Sequence, residues 1–521
     1  MKKDLSVHGP LASAFIFAAC GAAALNPASA LAQRAAAYGP EVREYVEYDA
    51  PTIALTHVKV IDGTGGPVLE DRTIIVQDGR IAAVGPAQTL QPPAGAVVLE
   101  RRGYTVMPGL VGMHNHLFDV PPRGGYSDWT WMPATFTAPR LYLAHGVTTI
   151  RTTGSLALNV DLGTKRSIDA GLTPGPRMNV TSPFLTDART ASPWMWGLRD
   201  PEDARRVTRF FAESGAESFK AYQSITRGEL AAVIDEAHRH GLKVTGHLCS
   251  ITYREAAQLG IDNIEHGFDF MTDFMPGKQP DICPYAAPPP GKDAGSSRQP
   301  SRAQAPSSSA TDDDAPRPTG PVTAETPAFK SLIELMVKKK VALTSTIQLD
   351  EMFRRPEPVT DEYLGYLTTD TRLAYAARRA RNEPIFPGAP SGDGDAAIRR
   401  EVGMEHAFVA AGGLLMIGPD AISPDMIKGY ADLRGLELLV EGGFTPLEAI
   451  KVATHNGAQF LGMLDRVGTV EAGKLADLVL VKGDPAQRIA DIHNIETVFK
   501  DGIGFDPGKL KAAVRGQVGL R

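Results

Sequence analysis

The chain has 521 residues, enough for one large enzyme domain and a smaller one beside it. It carries 54 Lys and Arg against 60 Asp and Glu, a net charge of −6, with the basic residues scattered along its length. That balance excludes nucleic acid and anionic membrane as expected partners and leaves a small-molecule substrate as the natural one.

The first 32 residues read as an export signal. Lys2 and Lys3 give a positive start, Leu11 to Leu25 is apolar and Ala-rich, and Ala30-Leu31-Ala32 supplies small residues for cleavage before Gln33. The apolar run is too short for a membrane-spanning helix, which needs about 20 residues. A periplasmic or secreted protein is therefore expected. The competing reading is lipid attachment at Cys20, although Phe17 matches the first position of a lipoprotein box poorly. Cys249 and Cys283 are too few for a disulfide framework and read as buried or incidental.

Residues 50–105 read as short strands separated by Gly-containing turns: Ile53 to Ile61, Thr73 to Val76 and Ile81 to Val84. The same texture returns within 465–510, at Asp477 to Val481 and Thr497 to Lys500. Neither end makes a stable sheet alone, so the two are expected to pair into one β-sandwich. Between them, residues 106–464 alternate strand and helix. Strands are expected at Thr148 to Arg151, Ser218 to Tyr222, Lys243 to Gly246, Asn263 to Glu265, Val341 to Thr344 and Leu414 to Ile417. Helices are expected at Arg227 to His240 and Thr326 to Lys340. Such repetition implies a parallel sheet or a (β/α)8 TIM barrel. One stretch breaks the pattern: 284–327 shifts to Pro, Ser, Ala, Gly and Asp, and reads as a flexible insertion at the C-terminal face, a tether more than a lid.

Chemistry-bearing residues stand at the ends of the expected strands. His114 and His116 alternate on one strand and can share a metal; taken alone they are as readily surface histidines. Lys220 lies inside an apolar strand, where a free ammonium is costly. His247 and His266 each end a short apolar strand, and Asp420 follows Leu414 to Ile417. Each has an ordinary structural explanation when viewed singly, as a loop or turn residue. Six such residues in one barrel do not. Tyr222, two residues past Lys220, faces the same way and is a candidate substrate contact or oxyanion stabiliser, with core packing equally open. Trp129, Trp131, Trp194 and Trp196 could line an apolar pocket or simply pack their loops.

The order His-x-His, Lys, His, His, Asp resembles the amidohydrolase superfamily in its binuclear branch with a carbamylated lysine. The segments Gly443 to Ile450 and Gly473 to Leu478 are similar to imidazolonepropionase-like and prolidase-like members. The resemblance implies a TIM barrel with two divalent ions, zinc suiting the ligand set best. One ion would be held by His114, His116 and Asp420 and the other by His247 and His266, with a CO2-derived carbamate on Lys220 bridging them. It further implies a metal-bridging hydroxide as nucleophile, with Asp420 as general base and then acid. Two positions depart from the pattern: Arg151 is followed by Thr152 and Thr153 rather than Asp, and Gly435 stands where relatives carry an acid. The expected reaction is cleavage of an amide or peptide bond in a dipeptide or N-acyl amino acid. Lactone, ester or carbamate hydrolysis and deamination remain open on the same site, and a non-enzymatic binding protein is the least expected. A homo-oligomer is expected.

Overall fold

Two sheets organise the molecule in a computed structural model that describes residues 38–120, 131–284, 322–354, 360–381, 393–424 and 426–519. The expected export signal, Cys20, Trp129 and most of the expected insertion lie outside the described residues. Among the described residues no helix is long and apolar enough to cross a membrane.

The larger sheet is a barrel of parallel strands: β1 (Leu110–Asn115), β2 (Val147–Thr152), β3 (Arg177–Asp187), β4 (Ser218–Ala221), β5 (Lys243–Gly246), β6 (Asn263–Glu265), β7 (Ala342–Ser345) and β8 (Leu415–Ile417), paired in that order. β1, β2, β4, β6, β7 and β8 are buried along their whole length. Both faces of each are covered, one by helices and one by the barrel interior, which explains near-continuous apolar runs instead of alternation. β3 was not among the strands expected. Its Thr181-Ser182-Pro183 core offers neither alternation nor an apolar run, yet Thr181 and Ser182 are fully buried there and hydrogen-bonded.

Helices pack outside the barrel with well-defined starts. Arg227–Arg239 opens on a capping box in which Thr226 accepts from Glu229 N and Glu229 reaches back. Pro327–Lys338 ends at the run Lys338-Lys339-Lys340, where cations suit the helix dipole. The described residues Val322 and Ala324, at the edge of the expected insertion, pack against the barrel core.

The smaller sheet combines both ends of the chain, as expected. Strands Tyr104–Pro108, Thr52–Val60, Leu69–Gln77 and Arg80–Pro86 join Leu478–Lys482, Ile495–Lys500 and Ile503–Phe505 through the pairing of Leu478–Lys482 with Tyr104–Pro108. The sheet bends until two hairpin turns meet. A Cβ on Gly502 would lie 2.5 Å from Gly79 Cα, so only glycine, at φ +79°, fits there. Ile53, Leu55, Val58, Ile74, Leu478, Leu480 and Phe499 fill the space inside.

The two cysteines depart from expectation. Cys249 and Cys283 are buried as anticipated, but they are bonded to each other, with Cα atoms 4.9 Å apart and 34 residues between them in sequence. They are a crosslink and not incidental thiols.

A glycine stands where the barrel closes. Gly418 N–H donates to Ser345 O at 3.1 Å, and Asp420 N–H donates to His114 O at 2.9 Å across the β8–β1 seam. A Cβ at Gly418 would sit 2.0 Å from the His114 backbone nitrogen. Gly418→Ala should therefore lower stability by about 1–3 kcal/mol in urea unfolding. Gly403→Ala, in a helix with open space around the added carbon, should instead be neutral or gain about 1 kcal/mol.

Candidate metal centre

All six residues picked out from the sequence converge at the C-terminal mouth of the barrel. His114 lies in β1 and His116 just past it, Lys220 lies in β4, and His247 and His266 follow β5 and β6 directly. Asp420 follows β8. None is more than 7% exposed.

His114, His116 and Asp420 place one ligand atom each within 4.8 Å of one another, a spacing that could hold a metal ion. His116 Nε2 is 2.9 Å from Asp420 Oδ1, and His114 Nε2 is 3.5 Å from the same oxygen. His266 Nδ1 stands 3.8 Å from Asp420 Oδ2 and 3.0 Å from Thr346 Oγ1. The His247 ring packs 4.1 Å from that of His266, which is in turn 4.8 Å from His114. The backbone is held in the left-handed region at both His266 (φ 68°) and Asp420 (φ 49°). Such conformations cost of order 1–3 kcal/mol and concentrate at functional sites.

Three buried nitrogens in this cluster lack any hydrogen-bond partner: Lys220 Nζ, His116 Nδ1 and His266 Nε2. Burying polar atoms unpaired costs about 1–3 kcal/mol each, so the arrangement fits a group that binds them. Burial lowers the Lys220 ammonium to about 8, against the opposing pull of Glu265 and Asp420. Burial likewise brings His116 down to about 4, and His247 and His266 well below the usual imidazole range. Neutral imidazoles are the form that ligates metals. Burial alone would raise the Asp420 carboxyl, but His114, His116 and Lys220 hold it well below its ordinary range.

Glu265 closes the expected strand Asn263 to Glu265, and the structure gives it a role at the site. It is fully buried beneath the histidines and accepts from His114 Nδ1 (2.8 Å), Arg151 Nη2 (2.6 Å), Asn263 Nδ2 (2.7 Å) and Thr245 Oγ1. The first of these contacts leaves His114 Nε2 facing Asp420. Arg151 also donates to Met113 O through Nε and Nη2, at 2.9 and 2.6 Å. The signal that marked Lys220, a charge inside an apolar strand, marks Arg151 and Glu265 equally well. Gln223 is a further addition. Its Nε2 lies 2.9 Å from His247 Nε2, so it would have to move if that nitrogen took a ligand. The Tyr222 ring stands 5.0 Å from His247, beside the cluster.

A family model described as the amidohydrolase family matches residues 105–282 and 395–503. An enamidase from Eubacterium barkeri is 28% identical over 198 residues, 36% of this chain and 47% of the enamidase. A 5-methylthioadenosine/S-adenosylhomocysteine deaminase from Moorella thermoacetica is 30% identical over 152 residues, 28% of this chain and 34% of the deaminase. The chain thus spans less than half the length of these curated relatives. Among solved structures, a Xaa-Pro dipeptidase with bound methionine in its active site superposes with a TM-score of 0.61 at 19% identity, covering 87% of this chain and 100% of that one. A prolidase-like structure from Bifidobacterium longum gives 0.58 at 22% identity, covering 89% and 98%. At these identities the structural likeness is one of fold.

Two outcomes follow from the geometry. Glu265→Gln should weaken metal affinity about 10–100-fold, read by competition with a chromogenic chelator; unchanged affinity would reduce Glu265 to a space-filler. In the metal-free protein, the unfolded chain takes up protons near pH 6.5 that folded His116 refuses until about 4. His247 and His266 shift in the same direction. Across that window these histidines bind more protons unfolded than folded, so their contribution to stability should fall as pH drops through it. The urea-midpoint difference between wild type and His116→Gln, compared at pH 7.5 and pH 5, isolates this contribution from buried carboxyls such as Asp432, raised to about 7 by burial, which act in the opposite direction.

Proposed function

Because the chain belongs to the amidohydrolase family, we propose that its C–N bond hydrolase chemistry is directed at an amide or peptide bond in a dipeptide or N-acyl amino acid. One observation carries the reading. Six ligand-type side chains meet at the barrel mouth, with Lys220 Nζ, His116 Nδ1 and His266 Nε2 buried and unpaired among them. Prolidase-type and dipeptidase structures share the fold, which favours peptide-like substrates.

His114, His116 and Asp420 would hold one divalent ion and His247 and His266 a second. Lys220 would join the two sets once its neutral amine has taken up CO2 as a carbamate, which also removes an unpaired buried ammonium. Imidazole and carboxylate donors suit zinc, with manganese and iron close behind. Such ions, when bound, polarise a carbonyl and acidify water. Asp420 does the proton work. Its carboxylate is ionised, sits within reach of both His114 and His116, and accepts the proton of the attacking water before delivering it to the leaving amine. Burial of all six residues excludes bulk water from the reacting bond.

Deamination on the same site is the second reading, favoured by the deaminases among the curated relatives. Export is part of the proposal too. The Cys249–Cys283 bond suits an oxidising compartment, in keeping with the signal expected at residues 1–32.

Zinc-loaded protein incubated with a library of dipeptides and N-acyl amino acids should release free amino acids, and a chelator should abolish the release. Ammonia in place of amino acids would establish deamination, and no product at all would exclude the amide reading. Asp420→Asn should lower kcat by about 10²–10⁴-fold. Lys220→Ala should lose activity and bind fewer than two metal ions per chain by elemental analysis; full retention of both would overturn the carbamate assignment.

A further inference from the structure

A connected array of aromatic rings flanks the metal cluster. The His116 ring packs 4.5 Å from Phe118, which meets Trp131 edge-on at 4.7 Å. Trp131 lies 4.9 Å from Trp194, and Trp194 touches Phe184 at 5.1 Å and Tyr222 at 5.7 Å. Tyr222 leads back to the cluster through His247 at 5.0 Å, and His247 meets Phe270 at 4.4 Å. The array thus leaves the cluster at His116 and returns to it at His247.

Two properties separate this array from loop packing. Phe118 and Phe184 are buried, but Trp131, Trp194, Tyr222 and Phe270 keep part of their surface accessible. Apolar surface left accessible beside buried polar ligands is characteristic of a ligand pocket. Four of the contacts are also steep, with interplanar angles of 81°, 85°, 82° and 77° along Phe118–Trp131, Trp194–Phe184, Phe184–Tyr222 and Trp194–Tyr222. Edge-to-face packing is one of the two favoured geometries between rings, and rings already packed on one another lose little side-chain freedom when another ring adds to the array. Trp196 is different. It sits on the short strand Trp196–Leu198, exposed, and packs on Phe210 and Phe211 rather than at the mouth.

We propose that this array is the subsite for an aromatic substituent next to the scissile carbonyl, so that the preferred substrates are amides bearing an aryl side chain. The inference rests on the hydrolase reading of the same site, and binding and turnover separate the two. In binding, 3-phenylpropionate should associate with the zinc-loaded protein about 10–100-fold more tightly than butyrate, the margin that a well-fitted ring provides in an apolar pocket. In turnover, Phe-containing dipeptides should exceed their Ala counterparts in kcat/KM by a similar factor. Trp194→Leu should collapse both ratios to within about threefold, while Trp196→Leu, outside the array, should preserve them. Equal binding of the two acids, or a Trp194→Leu variant that weakens both by the same factor, would overturn the subsite. Selective aryl binding without amide cleavage would leave the subsite standing and overturn the proposed reaction.

Discussion

The buried carboxylate of Glu265 is the constraint on which the site depends. It ties together five strands of the barrel: β1 through His114, β2 through Arg151, β5 through Thr245, β6 through its own neighbour Asn263, and β7 through Thr344, which bonds Asn263. Arg151 holds this carboxyl well below its usual range against the opposing effect of burial. A buried ion pair gains little stability over an apolar pair of the same size, because both charges must first be taken out of water. What it supplies is direction. Every donor points at one group, so the ring of His114 has one orientation, and with it the nitrogen that faces Asp420.

Much of this was legible in the sequence because chemistry and topology coincide in a parallel barrel. Short apolar runs ending in His247, His266 and Asp420 fix both the strand and the end of it where ligands belong. Elements whose residues serve the fold in less regular ways were harder to read. β3 carries Thr181, Ser182 and Pro183 through the barrel wall, satisfying its polar groups by side-chain bonds that no periodicity announces. Glu265 and Arg151 gain their meaning from each other across 114 residues of chain. The cysteine pair is similar. A separation of 34 residues spanning a change of composition gives no local sign that the two sulfurs meet. The tryptophans divide by position, since Trp131 and Trp194 converge with rings from other loops while the neighbouring Trp196 turns to a helix face.

The two ends of the barrel have separate tasks. At the N-terminal end the small sheet is clamped on by polar contacts. Gly109 N–H donates to Asp477 O at 2.8 Å, and Arg177, at the start of β3, reaches Asp477 at 2.7 Å and Asp501 at 2.6 Å. Chain ends that could not form a stable sheet individually are thereby joined under the barrel floor. The metal cluster occupies the opposite mouth, among loops that vary in length and composition.

One of those loops carries the Cys249–Cys283 bond, two residues beyond His247 and one residue before the compositionally distinct segment begins. Thr272 Oγ1 and Lys278 Nζ reinforce the same junction by donating to the carbonyls of Cys249 and Ser250. A covalent rivet at this point braces the loop of His247 against the chain at residue 283. Displacement at one sulfur is resisted at the other, so the backbone two residues past His247 is held by a bond as well as by packing.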